Sequence, residues 1–169
     1  MDIILEELTA GLPDARQTTR IVIRLLVAML LGAIVGIQRE QTGKPAGVRT
    51  HMLVSLGAAL FVIAPLEVEM TSADLSRVIQ GLATGIGFIG GGAILKLSQE
   101  REIQGLTTAA GIWMTAAMGV AAGLGRIGTA LLSALLTWFI LAVIGKIEHR
   151  ISQAQAARDD DPETRTEVQ

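Results

Sequence analysis

Residues 81–95 read GLATGIGFIGGGAIL, and two incompatible folds can be read into them. Gly85, Gly87 and Gly90 match the G-x-G-x-x-G spacing of a dinucleotide-binding loop. That loop works only between a strand and a helix, with an acidic residue about 20 positions further on. Here no strand precedes the run, and Glu100 and Glu102 come too early and across a loop. The alternative is a membrane helix whose glycines let neighbouring backbones approach. The rest of the chain decides for the second reading.

Half of the 169 residues are hydrophobic, yet aromatics make up 3% and tyrosine is absent. Soluble globular chains carry about 25% charged residues, whereas this one carries 18%, and in clusters. No Asp or Glu falls within 41–66, 75–99 or 103–147. A soluble protein would scatter carboxylates over every exposed helix face, so lipid is the solvent this chain is built for. With no cysteine, disulfides, thiolate zinc sites and a Cys nucleophile are excluded. No basic face suggests nucleic acid, and nothing in the sequence implies a cofactor.

Five apolar stretches follow one another, at 21–37, 52–66, 78–95, 106–124 and 127–145. A spanning helix needs roughly 17–25 residues. None of the stretches alternates with period two, which argues against membrane strands. The expected fold is all-α: a bundle of five transmembrane helices over residues 20–147. Residues 1–19 read as a short amphipathic segment at the interface, with Ile3, Ile4, Leu5 and Leu8 opposed to Glu6 and Glu7. Residues 148–169 read as a charged, disordered cytoplasmic tail.

Orientation follows from Lys and Arg. One side receives Arg39, Lys44, Arg49, Lys96, Arg101, Lys146, Arg150, Arg158 and Arg165, the other Arg16, Arg20, Arg77 and Arg126. The larger set marks the cytoplasmic side, so the expected topology is N-terminus out, C-terminus in.

Gly81, Gly85 and Gly92 fall within about 40° of one another on a helix, while Gly87 and Gly90 project the other way. Small residues on two faces suit a buried central helix, packed closely on both sides. The alternative is an unwound segment at Gly90–Gly91–Gly92 whose carbonyls hold a cation. Further packing stripes are Gly32 and Gly36, in register with Ala28 and Arg39, and Thr108, Gly111, Thr115, Gly119 and Ala122. His51, Ser55 and Ala58 share a face, and Thr129 and Ser133 face together on the last span. His51 is expected to cap or to line a helix interface. Arg24, one turn into its span, is expected to snorkel outward.

The segment QREQTGKPAGVRTH at 38–51 concentrates Arg39, Glu40, Lys44, Arg49 and His51 in a short loop and its flanks. Two arginines beside a lone glutamate at a membrane boundary suggest an Arg–carboxylate pair, with Arg39, Glu40 and Arg49 mutually coupled.

GIQRE, then KPAGVRTHMLVSLGAALF, GIGFIGGGAIL and GLTTAAGIWMTAAMGVAAGLG, in that order and spacing, resemble the MgtC/SapB family of bacterial inner-membrane proteins. The resemblance covers roughly 30–125. It implies a functional core of Arg39, Glu40, Ala46, Gly47, Arg49 and Thr50, of Gly87, Phe88, Gly90 and Gly92, and of Gly105, Leu106, Thr107, Thr108, Ala109, Ala110 and Trp113. Gly91 departs from the pattern, standing where alanine is expected. Many members append a folded cytoplasmic domain, whereas here a short charged tail follows the last span, so no role of that domain carries over. The resemblance implies a part in magnesium-linked homeostasis in a bacterial inner membrane.

Two mechanisms fit. In the first, the protein binds and regulates another membrane protein, or a second copy of itself as a C₂ dimer, through small-residue faces. In the second it is itself a transporter or channel for magnesium or another ion, built around the glycine-rich helix. Mg²⁺ gives up its waters reluctantly and is normally held through carboxylates. The spans offer none between 41 and 66, 75 and 99 or 103 and 147. No metal ligand set is identifiable, and no nucleophile–base pair suggests an enzyme.

Overall fold

The computed structural model describes residues 3–4, 14–95 and 105–145. Most of the N-terminal amphipathic segment, the connection at 96–104 and the charged tail lie outside the described residues. Ile3 and Ile4 are helical and exposed.

Among the described residues from 14 onward, five helices follow one another. α1 is Ala15–Gln41, α2 Val48–Glu67, α3 Ser72–Leu95, α4 Leu106–Gly123 and α5 Ile127–Phe139, which continues as a π-helical turn, Ile140–Ile144. Among the described residues there is no strand. α1, α2, α4 and α5 with its π turn are long and apolar enough to cross a membrane. α3, the glycine-rich stretch, is 24 residues long, sufficient in length for the ~30 Å hydrocarbon core at 1.5 Å per residue. The protein is an all-α membrane bundle.

The ends of the helices are set by local chemistry. Asp14 caps α1, accepting from the Gln17 N–H at 2.7 Å. The helix thus begins before the apolar run that starts at Ile21. α2 starts at Val48 and runs through Pro65 to Glu67. Pro65 has no N–H to give the helical ladder, and the helix ends two residues after it. α3 is unbroken from Ser72 to Leu95, Gly90–Gly91–Gly92 included, so the unwound segment weighed for those glycines is not formed.

The centre of the bundle is α4, which packs against all four other helices. α3 sits at the edge, resting on α4 and more lightly on α2. This corrects the expectation that the glycine-rich span is central. A methyl group added at Gly81, Gly85, Gly87, Gly91 or Gly92 would meet no described neighbour within 4 Å, and of the α3 glycines only one added at Gly90 would, 3.4 Å from the Ala109 methyl. Close backbone approach occurs elsewhere. Gly32 and Gly36 lie against the backbone of His51 and Val48, and Gly119 and Gly123 against the carbonyls of Ser55 and Ala59. A glycine permits close approach without requiring it, and composition cannot say which neighbour uses the permission.

One apolar core gathers Ala28, Leu31, Val35, Ala59, Ile63, Met118, Ala122, Ala130 and Ala134. A smaller one, Ala58, Ile86, Ile112 and Ala116, joins α3 to α2 and α4. Between α2 and α3 an open apolar groove of about 660 Å³ is lined by Leu60, Phe61, Pro65 and Val78 among others.

Candidate functional site

Of the described buried polar residues, Arg39, His51, Ser55, Thr108 and Thr115 gather where α1 and α2 meet α4, while Gln38 and Thr137 lie outside that seam. Arg39 is 3% exposed, and its Nη2 donates to Thr108 Oγ1 at 2.7 Å. Among the described residues no carboxylate pairs with it, and its Nε has no acceptor. A buried cation without a counter-charge is costly, so the position is not explained by packing.

His51 and Ser55, one turn apart on α2, are both fully buried. His51 Nδ1 lies 3.0 Å from the Gly47 carbonyl, which can only accept. In the neutral ring Nδ1 therefore carries the hydrogen, and Nε2 turns a bare lone pair toward Gly111 of α4. Ser55 Oγ likewise has no partner. Thr115 folds its hydroxyl back onto the Gly111 carbonyl at 2.8 Å. Gln38 reaches the other way, donating from Nε2 to the Leu141 carbonyl in the π turn at 3.1 Å. Arg24 enters from the opposite end and donates to the Gly123 carbonyl at 3.0 Å. It is thus turned inward onto the C-terminus of α4, where a cation is favoured by the helix dipole, rather than outward to an interface.

Glu40 is next to Arg39 in sequence but, 100° around the helix, points elsewhere. Its Oε2 accepts from the Val48 N–H at 3.1 Å and lies against Gly47, capping α2 from outside. The expected pairing of Glu40 with Arg39 or Arg49 is absent: the only ion pair among the described residues joins Arg77 to Asp74. Arg49 is exposed and Thr50 half-buried. Ala46 adopts φ 63°, a left-handed conformation rare outside glycine and often found at functional sites.

The remaining candidates divide. Gly105 caps α4 in the left-handed region at φ 97°, and Thr108 is buried one turn later. Thr107 is exposed and Trp113 is half exposed. Gly87, Phe88 and Gly92 lie on the outer side of α3, Phe88 at 87% exposure. The candidates therefore form two surfaces: an internal polar seam on α1, α2 and α4, and the open face of α3. The seam members that sequence reading undervalued are His51 and Ser55. The signal was their shared face on α2, which meets the Thr108–Gly111–Thr115–Gly119 stripe. Among the described residues no three His, Asp or Glu side chains come together as a metal site.

Residues 25–150 match the model of the MgtC family. This chain belongs to the MgtC family. It is 48% identical over 122 residues to Protein SrpB of Synechococcus elongatus, covering 63% of this chain and 67% of that one. To the Putative magnesium transporter YhiD of Escherichia coli it is 38% identical over 142 residues, 80% of this chain and 65% of the relative. To Protein MgtC of Salmonella typhimurium it is 35% identical over 132 residues, 78% and 55% of the two chains. The chain thus spans about two thirds of the first two relatives and about half of the third. No solved structure matches it. As an MgtC-family protein it is a multi-pass membrane protein of a family with a magnesium-linked member name.

Proposed function

We propose that this MgtC-family protein acts in magnesium-linked homeostasis by binding and regulating another membrane protein through the outer face of α3. The observation that carries this reading is the state of that face. Gly81, Gly85, Gly87 and Gly92 meet no described neighbour, and Phe88 stands out from between them. In lipid, small residues flanking a single large one make a surface another helix can approach closely. A second copy of the chain would use the same face. No enzymatic step is proposed.

The second reading, transport of magnesium or another ion by the chain itself, is favoured by the name of the Escherichia coli relative. Against it stands the seam, the main polar route into the bundle. Among the described residues it carries a buried arginine and no carboxylate, and a divalent cation that sheds water reluctantly gains nothing there.

The bacterial inner membrane is the proposed location. Arg39, Lys44 and Arg49 mark the end at which α1 finishes, and Arg16, Arg20, Arg77 and Arg126 the other. With the basic residues beyond 95 added to the first group, that end is cytoplasmic.

Proteoliposomes containing the purified protein, loaded with a Mg²⁺-sensitive dye, test the division. Regulation expects no Mg²⁺ entry above empty liposomes, with a photo-crosslinking residue at Phe88 capturing a membrane protein in cells. Mg²⁺ entry through the protein alone would overturn it.

A further inference from the structure

Arg39 is the one buried cation of the seam among the described residues, and its surroundings are those of an anion site. Its guanidinium reaches the first turn of α4 through Thr108. That turn is open: the cap is Gly105, which has no side chain to offer, and the first backbone bond of the helix is Ala109 N–H to the Gly105 carbonyl. The N–H groups of Leu106, Thr107 and Thr108 therefore have no acceptor among the described residues. They carry the positive end of the helix dipole. Thr108 Oγ1 accepts from Arg39, which leaves its own hydrogen free to donate.

Every described group gathered here is thus a donor or positive, and no described carboxylate balances it. Arg39 stands at the wrong end of α4 for a cation, in contrast to Arg24 at the other. Its Nε, buried and unpartnered, is a second sign of a missing acceptor. The nearest carboxylate in sequence, Glu40, is engaged at the Val48 N–H. Lys44 and Arg49 stand exposed in the same segment and add to the field.

We propose that a phosphoryl oxyanion binds where Arg39 meets the N-terminus of α4, held by the Arg39 guanidinium, the Thr108 hydroxyl and the N–H groups of residues 106–108. Helix N-termini hold phosphate in this way, and the arginine fork suits a tetrahedral anion better than a point charge would. The phosphoryl group comes either from inorganic phosphate or from a phospholipid headgroup. Both present the same oxygens.

The test is thermal unfolding of the full chain at constant ionic strength. One arm titrates inorganic phosphate against chloride in phosphate-free maltoside detergent. The other compares nanodiscs of phosphatidylglycerol with nanodiscs of phosphate-free digalactosyldiacylglycerol. A rise in melting temperature confined to the first arm assigns free phosphate, and one confined to the second a headgroup. Thr108→Val and Arg39→Lys should each weaken the effect about tenfold or more, as the loss of one charge-assisted hydrogen bond predicts. Arg49→Gln, outside the site, should change it less than about twofold. Thr108→Val retains the buried arginine, so it reports even if Arg39→Lys fails to fold. Stabilisation equalled by chloride and by the galactolipid, or undiminished in Thr108→Val, overturns the site.

Discussion

Arg39 donates its Nη2 hydrogen to Thr108 Oγ1 at 2.7 Å, with both residues buried between α1 and α4. A guanidinium in the interior whose one side-chain partner among the described residues is a neutral hydroxyl depends heavily on that hydroxyl. Replacing Thr108 with valine keeps the shape and strands the charge. The expected loss is about 1.5–3 kcal/mol, the range for hydrogen bonds to charged groups, read from denaturant unfolding in mixed micelles. A double-mutant cycle of Thr108→Val with Arg39→Gln should show a coupling above about 0.5 kcal/mol. Additive effects would mean that the bond contributes nothing in lipid.

The glycines should separate into two classes on substitution by alanine. At Gly119 the added methyl would collide with the Ser55 carbonyl, and at Gly123 with that of Ala59. Both variants should unfold more easily. At Gly85 and Gly87 nothing described is near, so alanine should leave stability unchanged or raise it by up to ~1 kcal/mol through helix propensity. If Gly85→Ala destabilises as much as Gly119→Ala, α3 is packed on both sides after all.

These two classes also mark how far the sequence could be read. Apolar runs without carboxylates gave the bundle, because lipid leaves a helix little choice. The stripe on α4 pointed to a contact face, since Thr108, Gly111, Thr115 and Gly119 recur at helical spacing. The order of helices around the centre was not legible. Glycine density singled out α3, but the closest approaches use Gly32, Gly36, Gly119 and Gly123, where single small residues meet a backbone of the right height. The direction of the Arg39 side chain was hidden for a similar reason. Neighbours in sequence suggested an ion pair with Glu40, and the turn of the helix separates them. Which way a side chain points is decided by the partner across the interface, and that partner lies 69 residues away.

Glu40 should behave as a cap rather than as a counter-ion. Glu40→Ala removes the acceptor of the Val48 N–H, at an expected cost of about 1 kcal/mol. Combining it with Arg49→Gln should be additive within about 0.5 kcal/mol, since the two are not paired. Non-additivity in unfolding free energy would restore the pair that the loop composition suggested.

Orientation can be read with single cysteines, because the chain has none of its own. Thr42 follows α1 and Ser72 opens α3 at the opposite end of the bundle. In intact cells a membrane-impermeant maleimide should label a cysteine at Ser72 and spare one at Thr42. The reverse pattern would turn the protein over and place the Arg39 end outside.

Arg24 and Arg39 are as far apart along α1 as Gly123 and Thr108 are along α4, and each arginine holds its counterpart. The two helices are therefore pinned at both ends, like a rod in two brackets. A piston stroke of α4 by one turn, about 5.4 Å, would break both bonds at once and leave two guanidinium groups without acceptors. Axial sliding is thereby closed to the centre of the bundle. Among the described residues α3 bears no such pins: its side-chain hydrogen bonds are local, and it meets α4 through apolar neighbours such as Gly90 and Ala109. It is held to the centre by shape alone.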